Sequence, residues 1–493
     1  MRARRTRRYT MSVVIGVDSS TQSTKAAFVD AASGALLGVG RARHTVTGQD
    51  GARETDPEVW WRALAEAVAD GLRAAGVPAS SVGGIAVAGQ QHGLVVLDAD
   101  GRPLRDAMLW NDTRSAPQAR ALTEALGEAE WLARAGSLPV ASMTATKWRW
   151  LLENEPHTAA RAAAVRLPHD FLTERLCGAG VTDPGDASGT LWYSTADGAY
   201  DPVVLELTGM DKELLPQVTP GGGTRAGSLT AAAAEALGLP AGIPVAAGTG
   251  DNMAAAVGLG LGGSGLLDHP VISLGTSGTV FAATRTRPAD PALAGFAAAD
   301  GTYLPLGCTL NCTLAVDKVA ALLGLGREDA EPGTGLAFLP YMDGERTPDL
   351  PHATALLSGL RHSTTPGQIL GAAYEGAVFT LLRALDGLLT SCGADPAGQQ
   401  PLRVIGGGAQ GHTWVETVRR LSGRPLVLPE ATELVALGAA ALAQAAVTDE
   451  DPVAVATAWD TGSGRELPPL ERDLTTWQRI DSALTGATDT LLT

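Results

Sequence analysis

Lysine and cysteine are both scarce in this 493-residue chain, which holds four of each. The cysteines form no CxxC pair and no regular framework, so their pattern predicts neither a disulfide scaffold nor a four-ligand zinc site. Small buried apolar residues are the simpler interpretation of Cys177, Cys308, Cys312 and Cys392. We therefore expect a protein of the reduced cytoplasm.

Long apolar runs and an excess of positive charge are also absent. No stretch of about 18 apolar residues occurs, so the sequence predicts no membrane span. Asp and Glu number 53 against 37 Lys and Arg, a formal net charge of -16. Because nucleic-acid affinity rests on cationic contacts with phosphates, this balance opposes a nucleic-acid binder. The basic segment 1–11 has no apolar region of signal-peptide length, and we expect it to be a disordered extension.

The first half of the chain reads as an α/β domain whose sheet begins with antiparallel strands. Asp56 and the proline after it open a helix that is predicted to run to about residue 76. A strand over 81–89 follows and leads into the polar cluster GQQHG. The predicted antiparallel strands cover residues 13–20, 25–30 and 35–44.

The second half repeats this order of elements. A short strand over 271–274 ends in the turn GTSG and returns over 279–284. Helical patterns, a strand over 402–405, a run of glycines and another helix follow. Each half therefore starts with a hairpin whose turn is rich in Gly, Ser and Thr. We expect the two halves to be distant copies of one plan, joined near residues 249–265.

The first hairpin turn, residues 18–25 (DSSTQSTK), carries groups that suit a polyphosphate. Its N–H groups and hydroxyls can bond phosphate oxygens, Lys25 adds a cation, and Asp18 can hold Mg²⁺ directly or through water. The turn is neither a P-loop nor a GxGxxG motif. Taken alone, it is more simply a solvated hairpin capped by Asp and Ser.

Two further turns are rich in glycine. Residues 273–278 (SLGTSG) offer the chemistry of the first turn in the other half, and residues 406–409 (GGGA) lie between a strand and a helix. Backbone without side chains lets a nucleotide lie against it, and a helix N-terminus favours negative charge. Together the three turns suggest a nucleotide held in a cleft between domains.

Asp251 lies at the expected join, in the segment GTGDN, just before a helical run. Read alone, it is an ordinary helix N-cap. The functional alternative is a general base that takes the proton of a substrate hydroxyl as that hydroxyl attacks a γ-phosphate. Phosphoryl transfer needs little else from side chains than positioning, charge stabilisation and such a carboxylate. Its place at the join favours the functional interpretation.

Polar residues and a tryptophan occupy strand ends and loops of the first half: Gln91, His92, Trp110, Asn111 and Asp112. Polar groups beside an aromatic wall are what a polyhydroxylated substrate requires. A lone histidine such as His92 is otherwise more often a structural hydrogen-bonding residue. Neither an HExxH signature nor a nucleophile elbow is present.

Seven motifs, in order, resemble those of the FGGY family of carbohydrate kinases. They are GVDSSTQSTK (16–25), VAGQQHG (87–93), LWND (109–112), GTGDNMAAAVG (248–258), SLGTSG (273–278), FLPYMDGERTP (338–348) and IGGGAQG (405–411). The resemblance implies an α/β fold of two ribonuclease-H-like (actin-like ATPase) domains with an interdomain active-site cleft. It places a sugar-binding N-terminal domain at residues 12–250 and an ATP-binding C-terminal domain at residues 251–493.

The resemblance also implies a role for each matching residue. Asp251 is the implied catalytic base, and Asp18 is implied to position Mg²⁺. The implied sugar-binding residues are Gln91, His92, Asn252 and Trp110. The implied nucleotide-binding residues are Thr21, Lys25, Gly275, Thr276, Gly408 and Ala409. For residues 343–346 (DGER), a structural turn held by an ion pair and a role in closure both stay open.

The sequence therefore predicts an ATP- and Mg²⁺-dependent kinase of a ketopentose, with D-xylulose at O5 favoured by the GQQHG segment. Such a reaction would serve xylose catabolism, and the resemblance leaves a homodimer open. One alternative is a kinase for another ketose or polyol of the same family. Another is an actin-like ATPase without a small-molecule substrate. A sugar-responsive regulator is disfavoured because no basic DNA-binding module is present.

Overall fold

The computed structural model describes residues 13–263, 267–350 and 352–487, so the expected extension 1–11 lies outside the described residues. The chain forms two compact units. The first unit holds the described residues up to Gly263 together with Phe296–Thr302 and Thr432–Gly462, and the second holds the others. No helix in the described part is long and apolar enough to cross a membrane.

Both units contain strands and helices. The strands are β1 Val13–Ser19, β2 Ser23–Asp30, β3 Leu36–Arg43, β4 Glu54–Thr55, β5 Val82–Gly89, β6 Val95–Leu97, β7 Ala107–Met108, β8 Ala164–Arg166, β9 Val181–Thr182, β10 Tyr193–Ser194, β11 Ala199–Tyr200, β12 Gln217–Val218, β13 Arg225–Ser228, β14 Pro244–Ala246, β15 Thr249–Gly250, β16 Val271–Leu274, β17 Gly278–Phe281, β18 Ala294–Ala297, β19 Tyr303–Thr309, β20 Ala337–Leu339, β21 Leu356–Ser358, β22 Leu402–Ile405, β23 Leu426–Pro429 and β24 Gly464–Leu467. The helices are α1 Pro57–Ala75, α2 Ala116–Leu126, α3 Glu128–Ala135, α4 Thr144–Asn154, α5 Pro156–Ala159, α6 Pro168–Cys177, α7 Pro184–Ser188, α8 Pro202–Thr208, α9 Ala231–Leu237, α10 Asp251–Gly258, α11 Thr313–Leu323, α12 Pro366–Ser391, α13 His412–Ser422, α14 Leu434–Thr448, α15 Pro452–Ala458 and α16 Leu474–Ala487.

The sheet of the first unit is built on the apolar strand β1, whose residues are all buried. Its order is β13-β14-β5-β1-β2-β3, with β15 also paired to β5. Strand β2 runs antiparallel to its two neighbours β1 and β3, whereas β5 is parallel to β1. Helix α1 begins and ends as predicted, because Asp56 caps its N-terminus and Gly76 takes the left-handed conformation after its last turn.

The sheet of the second unit repeats this plan. Its order is β18-β19-β17-β16-β22-β23-β24. Strands β16, β17 and β19 form an antiparallel run, and β22 is parallel to β16, as β5 is to β1. The predicted duplication is therefore confirmed in the strand order. The core of this unit lies around α12, whose side chains are mostly buried.

The division of the chain differs from the predicted boundary between residues 250 and 251. Helix α10 remains in the first unit, and the chain returns to that unit over Thr432–Gly462. The reason is close packing of small residues: a Cβ on Gly16 of β1 would lie 1.9 Å from the carbonyl oxygen of Ala436 in α14. Asp251 and Asn252, at the start of α10, thus belong to the unit that holds β1 and β5.

We expect Gly438→Ala to destabilise the protein, because a Cβ there would lie 1.8 Å from the carbonyl oxygen of Ala254 and would separate α14 from α10. The expected loss is about 1–3 kcal/mol or more. Gly387→Ala, inside α12, is the matched control, since its Cβ would meet only Asp290 at 3.9 Å. That change should be neutral or stabilise by about 0.5–1 kcal/mol. Urea unfolding compares the two variants, and equal effects would contradict the packing argument.

Candidate active site

Three parallel strands of the first unit end at the same level. Ser19 of β1 pairs with Gly89 of β5, and Gly250 of β15 pairs with the same glycine. The polar segments that come at or directly after these ends therefore meet at one sheet edge. This register brings the predicted residue Asp18 together with the segment after β5 and with the first residue of α10, Asp251.

A row of hydrogen bonds joins three predicted site residues at this edge. The side-chain amide of Asn252 donates to Gln91 Oε1 at 2.8 Å and to Asp251 Oδ1 at 3.2 Å. The backbone N–H of Asn252 also donates to Asp251 Oδ1, at 2.8 Å. Asn252 thus fixes the carboxylate of Asp251 relative to the amide of Gln91.

The surroundings of Asp251 favour its protonated form more than water would. Burial, followed by the negative charges of Asp18 and Asp186, raises its pKa to about 7. No cation of the described residues forms an ion pair with it. A carboxylate whose pKa lies near neutral pH can take up a proton and release it again under ordinary conditions, as a general base must.

His92 is buried beside this row in an unusual backbone conformation, with a φ of 65°. Its Nδ1 donates to the carbonyl of Gly189 at 2.9 Å, which fixes the orientation of the ring. The ring of Phe296 lies 5.5 Å away, centroid to centroid. A non-glycine residue with positive φ is uncommon, and strained backbone of this kind recurs at active sites.

Trp110 contacts a residue that the sequence assigned to a different ligand. Its indole Nε1 donates to Thr21 Oγ1 at 3.0 Å, and 39% of the residue is exposed. Thr21 is a predicted nucleotide-binding residue, whereas Trp110 is a predicted sugar-binding residue. Asp112 stabilises the loop of Trp110, because its carboxylate accepts hydrogen bonds from the Arg53 N–H and from the Arg114 side chain.

Lys25 is already paired with two carboxylates. Its Nζ lies 3.3 Å from Asp18 Oδ2 and 3.0 Å from Glu433 Oε2, and Glu433 also pairs with Arg41. Burial alone would lower the pKa of Lys25, but the two carboxylates raise it above its usual value. Contact between Lys25 and nucleotide phosphates stays a prediction.

The donor set around Asp18 fits a magnesium ion that is held mainly by phosphates and water. Asp18 is buried, accepts a hydrogen bond from Ser20 and pairs with Lys25. Mg²⁺ in phosphoryl-transfer sites uses one or two carboxylates and keeps other positions for phosphate and water. No group of three or more His, Cys, Asp or Glu suited to a metal occurs among the described residues.

A fully buried charge cluster lies next to the strand ends. His169 Nδ1 donates to Asp186 Oδ2 at 2.7 Å, and its Nε2 lies 3.1 Å from Asp170 Oδ1. Burial alone would lower the pKa of His169, but the carboxylates of Asp170, Asp186 and Asp183 raise it to about 9. A Cβ on Gly250 would lie 3.1 Å from Asp186 Oδ1, so this cluster reaches the residue before Asp251.

The predicted nucleotide residues of the second unit lie at the ends of the parallel strands β16 and β22. A Cβ on Gly408 would lie 2.6 Å from the Cβ of Leu274, so the two glycine turns are in contact. Thr313, at the start of α11, donates to the Gly275 carbonyl through its N–H at 3.1 Å and its hydroxyl at 2.8 Å. Gly407 is exposed, and an added Cβ there would meet nothing within 4 Å.

Thr276 and Ala409 lie in these same two turns, on which open backbone is available to a ligand. Helix α13 begins just beyond, and its N-cap Gly411 provides no side-chain cap. Unpaired N–H groups at a helix N-terminus attract anions. The predicted site residues thus fall into two groups, one in each unit.

The DGER segment has a structural role in the second unit. Glu345 is buried and accepts hydrogen bonds from the Leu310 N–H at 2.6 Å and from Asn311 Nδ2 at 3.1 Å. It therefore holds the loop that precedes α11. These hydrogen bonds support a structural turn, although the expected ion pair is not among those of the described residues.

Comparison with known proteins assigns both units to one family. The N-terminal domain model of the FGGY family of carbohydrate kinases matches residues 13–258, and its C-terminal domain model matches residues 271–447. The chain belongs to the FGGY family of carbohydrate kinases. Its two units accordingly carry the two-domain fold of that family, in the actin-like ATPase and ribonuclease-H-like class.

Similar FGGY kinases cover almost the whole chain. Xylulose kinases of Streptomyces coelicolor and Streptomyces rubiginosus are each 55% identical over 480 residues, 96% of this chain and 96% of theirs. The crystal structure of xylulose kinase from Bifidobacterium adolescentis matches with a TM-score of 0.80 and 34% identity, over 96% of this chain and 99% of that one. Membership in a kinase family implies the use of ATP.

The sequence reasoning missed three features of this FGGY site. Glu433 lies far from Lys25 in the sequence, and no local sequence pattern predicts that the two residues form an ion pair. His169 and Asp186 are 17 residues apart, in separate short helices. The segment TDPGDASG (182–189), in which Thr182, Asp183, Asp186 and Ser188 are all N-cap residue types, could have drawn attention to Asp186. Lys147 lies in α4, which also carries an arginine and a glutamate, so no local pattern distinguished it from a solvent-facing lysine, although lysine is rare in this chain.

We expect His169 to stay protonated at neutral pH, because three carboxylates surround its imidazole. A ¹H–¹⁵N NMR titration of the histidine side chains should show one imidazolium that persists through pH 8 and titrates near pH 9. The signal should be missing in His169→Gln, which assigns it. A midpoint between pH 6 and 7 would contradict the charge cluster described above.

Proposed function

We propose that this FGGY kinase phosphorylates D-xylulose at O5, with ATP as the donor and Asp251 as the general base. The observation that carries the proposal is the row Gln91–Asn252–Asp251, which sets a carboxylate of raised pKa beside polar groups suited to a sugar. The similar xylulose kinases support the choice of substrate.

The polar groups of the first unit match the needs of a ketose. Gln91 and Asn252 offer amide donors and acceptors for hydroxyl and carbonyl oxygens, and His92 adds a ring nitrogen. The partly exposed indole of Trp110 gives the apolar wall on which a sugar face can lie. These side chains bind and orient the sugar so that one primary hydroxyl meets Asp251.

Asp251 then accepts the proton of that hydroxyl while the oxygen forms its bond to the γ-phosphorus. The bond from that phosphorus to the bridging oxygen breaks, and ADP leaves with the electron pair. The proton stays on Asp251 until it passes to solvent. General-base assistance of this kind contributes about 10²- to 10⁴-fold to rate.

The phosphates are assigned to the turns that carry N–H groups and small side chains. In the second unit, Gly275, Thr276, Gly408 and Ala409 offer backbone suited to a nucleotide. In the first unit, Thr21 offers a hydroxyl and Lys25 a cation that suit phosphate oxygens. Asp18 would hold Mg²⁺, which supplies charge neutralisation of the transferred phosphoryl group when bound.

ADP release from MgATP tests both the substrate and the base. We expect strong stimulation by D-xylulose and weaker stimulation by ribulose, an L-ketose or an alditol. Asp251→Asn keeps the shape of the side chain but cannot accept the proton, so turnover should fall about 10²- to 10⁴-fold. Binding of ATP, measured by calorimetry, should stay within about twofold, because the contacts to the nucleotide are unchanged.

Asp100→Asn is the matched control, since Asp100 lies exposed in a surface turn and should leave the kinetics unchanged. Stimulation by a different sugar would keep the kinase assignment but change the assigned substrate to that sugar. ADP release that is indifferent to every sugar would contradict the kinase proposal and favour an ATPase without a small-molecule substrate. Near-normal turnover of Asp251→Asn would show that another group is the base.

The assembly and the compartment stay predictions. A homodimer is testable by light scattering of the full chain. A cytoplasmic location would suit an enzyme that consumes ATP and a free sugar.

A further inference from the structure

Lys147 is a fully buried lysine that the mechanism does not use. Within the described ranges, no carboxylate forms an ion pair with it. Its Nζ instead donates to two backbone carbonyls, that of His92 at 3.1 Å and that of Ser142. A buried amine is costly unless its hydrogen bonds are made, so these two carbonyls are what keep it in place.

The carbonyl of His92 is held from a second side as well. Thr144, the first residue of α4, donates its hydroxyl to the same oxygen at 3.2 Å. The first turn of α4 therefore donates two hydrogen bonds, one from a hydroxyl and one from an amine, to a single peptide carbonyl of the GQQHG segment. Both donors are buried, so water does not compete for this carbonyl.

His92, whose carbonyl accepts these hydrogen bonds, has an unfavourable backbone conformation. His92 has a φ of 65°, a left-handed conformation that costs a residue with a side chain about 1–2 kcal/mol. Its ring is packed so closely on Gly189 that a Cβ there would lie 2.5 Å from the ring. If the His92 peptide rotated back to an ordinary conformation, the imidazole ring would leave its position against Gly189.

We propose that Lys147 is a positioning residue for sugar recognition, which acts with Thr144 through the His92 carbonyl to hold His92 in its left-handed conformation. The inference rests on the proposed function in that the ligand of His92 and Gln91 is taken to be the sugar. Lys147 itself touches no substrate. Its effect is on affinity for the sugar and not on the nucleotide or on the chemical step.

The protonation state of Lys147 is consistent with this role. Burial lowers its pKa to about 7, while the charge of Asp112 opposes that shift. An amine keeps N–H donors in both protonation states, so the hydrogen bonds to the two carbonyls survive deprotonation. A lysine used only for its charge would lose its effect at alkaline pH.

Two substitutions remove hydrogen bonds to the His92 carbonyl in different ways. Lys147→Met keeps much of the side-chain volume and removes both hydrogen bonds, whereas Thr144→Val removes only the hydroxyl. Thr146→Val is the matched control, because Thr146 lies in the same turn of α4, is buried, and donates to the Met143 carbonyl at 2.8 Å without a hydrogen bond to His92. Circular dichroism melting checks that each variant is folded.

Calorimetric binding of D-xylulose and steady-state kinetics give the first readout. We expect the sugar Kd and KM to rise at least about tenfold in Lys147→Met and about threefold to tenfold in Thr144→Val. The KM for ATP and the kcat at saturating sugar should stay within about twofold. Thr146→Val should match the wild type.

Hydrogen–deuterium exchange of the free protein gives a second readout that needs no ligand. The amides of residues 91–94 should exchange faster in Lys147→Met and Thr144→Val than in Thr146→Val. Unchanged exchange, or folded variants with wild-type sugar affinity, would overturn the inference. An equal loss in sugar affinity, ATP affinity and kcat would also overturn it, since that result marks a merely structural lysine.

If Lys147→Met fails to fold, Thr144→Val decides by both readouts. If the wild-type protein binds no sugar of the panel, the proposed function fails. The exchange experiment still decides whether Lys147 and Thr144 restrain the backbone of His92.

Discussion

Several carboxylates lie close together at the ends of β1, β5 and β15, and the rest of the site in the first unit depends on how their charges are balanced. Charges that are close together in a medium of low permittivity repel strongly, so each carboxylate needs a partner or must hold its proton more tightly. Asp18 is paired with Lys25, and Asp186 with the protonated His169. Asp251 receives only the neutral N–H donors of Asn252 in the part of the chain described, and its pKa rises. Asp251 is thus the carboxylate at these strand ends that combines a raised pKa with no cationic partner among the described residues.

The repeated strand plan places different chemistry at equivalent points. The turn after β1 carries Asp18 to Lys25, and the turn after β16 carries Gly275 and Thr276. The segment after β5 carries Gln91 and His92, whereas the segment after β22 carries the glycines up to Gly408. One copy therefore presents side chains, as a sugar requires, and the other presents bare backbone, as a nucleotide accepts. In each of the two sheets these segments lie at the carboxyl ends of the parallel strands, where open α/β sheets commonly bind ligands.

Local patterns predicted much of this molecule because they reflect local physics. The buried strands β1, β16 and β22 and the caps of α1 follow from apolar runs, glycine and N-cap residues, and all lie within one or two residues of their predicted bounds. The boundary after residue 250 was less predictable, because α14 returns to the first unit through contacts between small residues far apart in sequence. Glu433, Lys147 and His169 were missed for the same reason, since each acts on a partner from a distant segment.

The central claim is that Asp251, left without a cationic partner, is a base whose pKa lies near neutral pH. The pH dependence of kcat/KM for D-xylulose tests it most directly. A base must be unprotonated to act, so the rate should fall as the pH drops through about 7. The residual rate of an enzyme without this carboxylate should lack that step. A profile that stays flat down to pH 5, or the same break without the carboxylate, would contradict the account.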